Sequence, residues 1–388
     1  MGTRTTAQPF PASELRGRIE GAQRLMDERR LDALLVTSQP NIYYLTGFAT
    51  KGVSALKYLL LTRDGRGTLV IPNIERGNAE RDLDGLPIDR FVTYEPAHAA
   101  IKPPWDLVER LVAEFKLASG TIGYEPREWS AAAWQTFSSI LPDVTFIDIG
   151  GAIDGLRMVK SPLELDYMRR AASVADAVSE ATTKAVQIGA TEADIASTMI
   201  STMIRHGGEP PANVGNVRTG ARTGFVHTGW SDTPVAAGDH VYLEFCGAIE
   251  RYHAVLWRTV FVGEPHPERE RLARAMREAH DRALAALKPG IAFRQLDAIQ
   301  RDVISEAGFA EQMFPFAGYA VGIALPTSWL GTLIAQDSDQ LMEPNMTFHM
   351  GIFMLKPGAW GMALSQAVLV TQSGGESLSK TDSGPYFN

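Results

Sequence analysis

The sequence predicts two domains, an α/β domain over residues 1–155 and an α+β domain over residues 156–388. Three observations lead there. Short apolar strands alternate with helical stretches up to residue 150, the order of an α/β layer. Ser161-Pro162 with Glu164 then has the form of a capped helix start and marks a boundary. Beyond it, long helices are grouped around paired strands.

Taken in order, SELRGRIEGAQRLMDERR (13–30) forms an amphipathic helix, with Leu15, Ile19 and Leu25 apolar and charges on the other faces. LDALLVTS follows as a strand, and QPNIYYLTGF as a turn leading into an aromatic-rich segment. Strands are also predicted at KYLLLT (57–62), GTLVIP (67–72) and TFIDIG (145–150), with helices near 105–117 and 129–140. No Gly-rich phosphate loop follows any of them, so a nucleotide-binding reading has no support.

Ser161 is an N-cap with Pro162 in the first helical position and Glu164 placed to complete a capping box. The helix it starts runs through LELDYMRRAASVADAVSEATTKAV toward Gly189. ATEADIASTMISTMIRHGG is a second helix, ending at paired glycines suited to a C-cap. Leu272, Met276, Ala279, Ala283 and Leu287 recur at helical spacing over 267–287, and another helix spans 294–307 before Gly308. NMTFHMGIFML and ALSQAVLVTQSGG read as two strands.

Between these helices lies His227–Thr259, HTGWSDTPVAAGDHVYLEFCGAIERYHAVLWRT, an irregular approach, a Gly-Asp turn and two strands joined by a short polar connection. Alternation puts Val241, Leu243 and Phe245 on one face and Tyr242, Glu244 and Cys246 on the other. Glu244 is therefore a carboxylate in an apolar strand. Burying it is costly unless a partner or a function uses it, so it either feeds a site or carries a structural ion pair.

Composition narrows the classes. The net charge of −8, with no basic run, argues against nucleic acid as a partner. Apolar and charged contents of 45% and 21% are those of a globular protein. The single cysteine, Cys246, rules out an intramolecular disulfide or a cysteine metal cluster, and its mid-strand place suits a small buried residue. The N-terminal MGTRTTAQPF has no apolar core and no 18-residue span occurs, so a cytoplasmic protein without membrane association is expected. Met1-Gly2 with Thr6 matches a myristoylation pattern too short to outweigh chance.

SPLELDYMRRA, VAAGDHVYLEFCG, RYHAVLWRT, NMTFHMGIFM and LSQAVLVTQSGG resemble, in that order, the creatinase and aminopeptidase P (M24) superfamily, and LDALLVTSQPNIYYLTGF is similar to its N-terminal domain. The resemblance implies a pita-bread fold for the α+β domain and a homodimer. It also assigns places. The five metal-ligand places of the metallopeptidase members fall on Glu244, Val255, Tyr319, Gly351 and Ser365 here. Only one keeps a carboxylate, and valine and glycine offer no donor to a two-ion site. A metal-independent protein without cofactor is therefore expected, and an Xaa-Pro metallopeptidase is not.

His227 lies where creatinase, a metal-free member, has its catalytic histidine, but the creatine-binding glutamate places are Trp257 and Gly351. ARTGFVHTGWSDTP, RYHA, GYAVGI, MTFH and LSQ are more similar to ectoine hydrolases, metal-free members that open a cyclic amidine. GFATKGVSALKY departs from them in a region that helps close the pocket in this superfamily, often that of the partner subunit.

If the ligand places face inward, strand parity puts Val255 and Trp257 in the pocket, Arg258 away from it, and His349 and Ser365 inward. Such a wall suits a small cationic or zwitterionic substrate, because a protonated amidine or guanidine already has an electron-poor carbon. The expected roles are Glu244 as carboxylate or nucleophile, Trp257 as the aromatic face and His227 as the base that delivers water. Tyr319 would donate from its hydroxyl or fill space. Tyr252, His253, His349, Ser365 and Arg222 would contact substrate, or else pack a turn, pair locally or stay solvated. The expected activity is hydrolysis of a C–N bond in a small molecule, ectoine-hydrolase-like. The alternatives are a creatinase-like amidinohydrolase, another small-amide hydrolase, or a silent binding protein on the same fold.

Overall fold

The computed structural model describes residues 8–50, 52, 56–95 and 104–388. Met1, Gly2 and Thr6 lie outside them, as do residues 51 and 53–55 of the segment after Gly47. The chain divides into two units, Met1–Arg157 and Met158–Asn388.

In the first unit, helix α1 (Ala12–Arg29) buries Leu15, Ile19, Leu25 and Met26. Strand β1 (Ala33–Val36) leads into helix α2 (Gln39–Thr46), where the sequence reading expects a turn. Pro40 starts this helix and Gly47, at φ 78°, ends it. The Glu125 carboxylate accepts from the Thr37 and Ser38 amides at 2.7 and 2.8 Å, so a distant loop holds the residues that lead into the helix. Then follow β2 (Tyr58–Thr62), β3 (Gly67–Pro72), α3 (Arg76–Asp82), β4 (Phe91–Tyr94), α4 (Trp105–Glu114), β5 (Thr121–Tyr124), α5 (Ala131–Ile140), β6 (Thr145–Asp148) and α6 (Ala152–Met158). The six strands form one sheet in the order β4-β3-β2-β1-β5-β6. Its core includes Leu35, Tyr58, Leu60, Val70, Val108, Ile122 and Phe137.

The second unit opens with α7 (Pro162–Ala185), where Ser161 and Glu164 form the expected capping box, and α8 (Glu192–Arg205). A four-stranded sheet, order β15-β9-β8-β7, is built from β7 (Asn216–Thr219), β8 (His240–Ile249), β9 (Tyr252–Phe261) and β15 (Tyr386–Phe387). The β8–β9 hairpin turns on Glu250 and Arg251, both at positive φ (46° and 64°), as a tight two-residue turn of matching twist requires. Helices α9 (Pro267–Ala286) and α10 (Phe293–Glu306) precede a five-stranded sheet, order β11-β10-β12-β13-β14. Its strands are β10 (Phe316–Ala320), β11 (Leu333–Ala335), β12 (Thr347–Lys356), β13 (Trp360–Thr371) and β14 (Gly374–Ser377).

The two sheets are stitched where β9 lies beside β13. Thr259 Oγ1 donates to the Ala363 carbonyl at 2.8 Å and accepts from the Ala363 amide at 3.0 Å. Arg258 Nη1 donates to the Ser365 carbonyl at 2.7 Å. On one side β8 presses against α7 so closely that a Cβ on Gly247 would stand 2.0 Å from the Ala171 carbonyl oxygen. On the other sheet Phe348, Met350, Ile352 and Met354 pack with α9 and α10. The remaining faces of β8, β9 and β12 carry the site. Among the described residues, no helix is long and apolar enough to cross a membrane.

Candidate active site

Directly opposed residues of an antiparallel pair share a face. The register sets Tyr242 against Thr259, Glu244 against Trp257 and Cys246 against Val255. On β7, Asn216 stands opposite Glu244 and Arg218 opposite Tyr242. In the other sheet His349 is flanked by Tyr319 and Ala367, and Gly351 lies opposite Ser365. The alternate residue Arg258 points to α7, where its Nε reaches Ser179 Oγ at 3.2 Å.

Glu244 is the centre of this face, and it is the one residue of β8 that is not buried. Its Oε1 accepts from Trp257 Nε1 at 3.0 Å and its Oε2 from the Asn216 amide. Burial first, and then the Glu244 charge, push the Tyr242 and Tyr319 hydroxyls well above the ordinary phenol range, so both stay neutral. Burial and the same charge also raise the Cys246 thiol, which leaves it a protonated, buried residue rather than a nucleophile.

His349 is fully buried, with its ring 4.3 Å from that of Trp257 in an edge-on contact and 4.8 Å from that of Tyr319. Its Nε2 lies 2.6 Å from Ser365 Oγ, and Nδ1 has no partner among the described residues. Burial, and after it the nearby Arg258 and His280, hold the imidazole well below its ordinary pKa, so it is neutral. Ser365 Oγ in turn accepts the Trp257 amide at 2.7 Å. Glu244, Val255, Trp257, Tyr319, His349 and Ser365 thus come together as strand parity predicts.

Four expected residues do not join them. Tyr252 is corrected from a substrate contact to a structural residue, because it is on the opposite face of β9 and its hydroxyl donates to Glu164 Oε1 at 2.8 Å. His253 is corrected likewise: Nδ1 donates to the Arg251 carbonyl at 2.8 Å and Nε2 accepts the Ala212 amide at 2.9 Å, so neither nitrogen is free. Burial lowers its pKa to about 4 and keeps it neutral. Arg222 is occupied by the fully buried Glu192 carboxylate at 2.9 Å and by the Gly229 carbonyl. His227 stands exposed on a turn at φ 57°, and no hydrogen bond joins it to Glu244 or to another described residue.

Sequence reasoning missed Asn216 and Arg218. They alternate in NVRT, a strand of only four residues, which is too short for a period of two to stand out. Arg218 is 1% exposed and holds the loop beside His227 through Thr228, Nε to Oγ1 at 3.1 Å and Nη2 to the carbonyl at 3.3 Å. Burial depresses its pKa, while Tyr242, Glu244 and Glu192 oppose that shift.

Among the described residues no three His, Cys, Asp or Glu side chains form a group that could hold an ion. At Gly351, an added Cβ would meet Ser365 Cβ at 2.6 Å, the Leu364 carbonyl oxygen at 2.9 Å and the Trp257 ring at 3.1 Å, so the indole and the serine fill the space a ligand side chain would need. One carboxylate, an indole, a phenol and a neutral imidazole do not fit two divalent ions.

Residues 166–372 match the metallopeptidase family M24 model, and residues 18–159 match that of the creatinase/prolidase N-terminal domain. The ectoine hydrolase of Halomonas elongata is 28% identical, over 95% of this chain and 96% of its own. The Xaa-Pro dipeptidase of Pyrococcus furiosus is 26% identical, over 95% of this chain and 99% of its own. Among solved structures, a prolidase from Thermococcus sibiricus superposes with a TM-score of 0.86 at 20% identity, covering 98% of this chain and all of its own. Dipeptidase PepE from Mycobacterium ulcerans superposes at 0.84 with 22% identity, covering 97% and 99%. These structures share the two-domain architecture.

Proposed function

The chain belongs to the metallopeptidase family M24, with a creatinase/prolidase N-terminal domain ahead of the pita-bread domain, and is a hydrolase of that family; from that premise we propose that it hydrolyses a C–N bond in a small zwitterion without a metal ion, by ring opening of a cyclic amidine such as ectoine. One observation carries the reading: Glu244 is the partly exposed residue of its strand, held by Asn216 and Trp257, and of the five places that the resemblance assigns to metal ligands it alone has a carboxylate.

A carboxylate so placed attracts an amidinium. The indole and the Tyr319 ring give it an apolar border, which strengthens that attraction. Arg218, a guanidinium on the same face with no carboxylate within ion-pair reach among the described residues, supplies the opposite charge for a substrate carboxylate. Net reaction adds one water across the bond: oxygen goes to the amidinium carbon, both protons end on the leaving nitrogen, and an amide and an ammonium result.

Two routes achieve this. Either His227 delivers the water, or Glu244 adds to the carbon and water then releases it. The exposed turn that carries His227 supports the second route.

Metal independence is tested by elemental analysis of the purified protein and by assay in the presence of a chelator. Stoichiometric metal together with chelator-sensitive turnover would overturn it. The Xaa-Pro dipeptidase relatives make a proline dipeptide the comparison substrate.

A further inference from the structure

The hydroxyl of Ser365 and the ring of His349 admit a count that fixes which ring nitrogen carries the proton. Ser365 Oγ has one hydrogen to give and already accepts the Trp257 amide at 2.7 Å. Its other neighbour is His349 Nε2 at 2.6 Å, and no further acceptor for the hydroxyl exists among the described residues. If Nε2 carried the proton, the serine hydrogen and the bare Nδ1 would both be buried without partners. If Nδ1 carries it, the hydroxyl donates to Nε2 and only the Nδ1–H is left over. A buried donor or acceptor without a partner loses its hydration and gains nothing in return, so the arrangement with one orphan is more stable than that with two.

We propose that Ser365 is a positioning residue that locks His349 as its neutral Nδ1–H tautomer, and that this N–H is a hydrogen-bond donor kept for an acceptor oxygen of the substrate. The proposal rests on the reading of the pocket given above, which it deepens. Glu244 then takes the cationic end of the ligand and His349 an oxygen, while the rings of Trp257 and Tyr319 border the imidazole. The groups that bear on its charge all favour the neutral ring. Ser365 donates to it, Trp257 and Tyr319 are uncharged, and Arg258 and His280 repel a proton from the β9 and α9 sides. The amide of Trp257 occupies the serine oxygen as an acceptor and so turns the serine hydrogen toward the ring.

The test is ¹⁵N NMR of the full-length protein with labelled histidine side chains, His349 being assigned by its loss in His349→Gln. The ligand-free protein is expected to show a protonated Nδ1 and a bare Nε2, unchanged across roughly pH 5 to 8, where an ordinary histidine titrates. A protonated Nε2, or an imidazolium forming in that range, overturns the lock. Ser365→Ala is expected to mix the tautomers and to raise KM for ectoine more than it lowers kcat, and Ser365→Thr to restore both. A pure Nδ1–H form in Ser365→Ala would mean that the serine does not position the ring.

Ectoine is then added to the wild-type protein. The Nδ1 proton is expected to move downfield as ectoine saturates the site, and saturation without such a shift overturns the donor role. Ectoine that does not bind sinks the functional reading, and the donor role with it. The tautomer stands or falls separately, on the ligand-free spectrum.

Discussion

Trp257 and Glu244 face each other across the β8–β9 pair, and the indole Nε1 donates to Glu244 Oε1 at 3.0 Å. The same indole fills the space beside Gly351. One side chain therefore both closes the space at Gly351 and orients the Glu244 carboxylate. Two donors on the carboxylate, from Trp257 and Asn216, fix its direction on this face.

Glu244→Gln keeps the shape and removes the charge. Turnover is expected to fall at least about a hundredfold, as it does when a charged group acting on the reacting centre is lost. A variant with wild-type kcat would place the chemistry elsewhere. A protein with no turnover to lose, but with ligand affinity intact in Glu244→Gln, would be the silent binder.

His227→Ala separates the two routes. Because the residue is exposed and has no hydrogen-bond partner among the described residues, stability is expected to change by less than about 0.5 kcal/mol and kcat by less than tenfold. A loss comparable to that of Glu244→Gln would restore His227 as the base.

Arg222→Ala leaves the Glu192 carboxylate buried with only the Thr219 and Ser231 donors. Breaking a buried pair of this kind is destabilising, here by about 1–3 kcal/mol since Arg222 is one-third exposed and water can replace it in part. Denaturant melts measure this. A raised KM with unchanged stability would return Arg222 to the substrate.

Acid stability follows from His240 and His253. Burial lowers both to about 4 from an ordinary 6.5. The folded protein holds them neutral, so the unfolded chain binds protons first as the pH falls. Their contribution is complete above pH 6.5 and is lost progressively between 6.5 and 4, by up to about 3 kcal/mol for each residue. Urea melts on both sides of pH 6.5 check this, and a midpoint constant down to pH 4 would contradict it.

Legibility from sequence tracked the range of the interaction. The Ser161–Glu164 capping box is local, and both halves of it formed as the sequence implied. The faces of β8 and β9 follow from a period of two, so the sequence alone groups Glu244, Trp257 and Val255. Helix α2 was harder to read, because the carboxylate that holds its start is Glu125, 84 positions from Asn41. Arg222 looked free because its partner Glu192 lies 30 positions earlier, in a helix that reads as ordinary surface. Asn216 and Arg218 sit on a strand too short to give a periodic signal. The orphan on His349 depends on three strands at once, β9, β12 and β13.

The most direct test of the account is turnover of ectoine by purified, metal-depleted protein, with ring-opened N-acetyl diaminobutyrates followed by mass spectrometry and an Xaa-Pro dipeptide and creatine assayed in parallel. Ring opening without added metal, and no cleavage of the dipeptide, is the predicted result. Intact ectoine together with metal-restored cleavage of the dipeptide would contradict it.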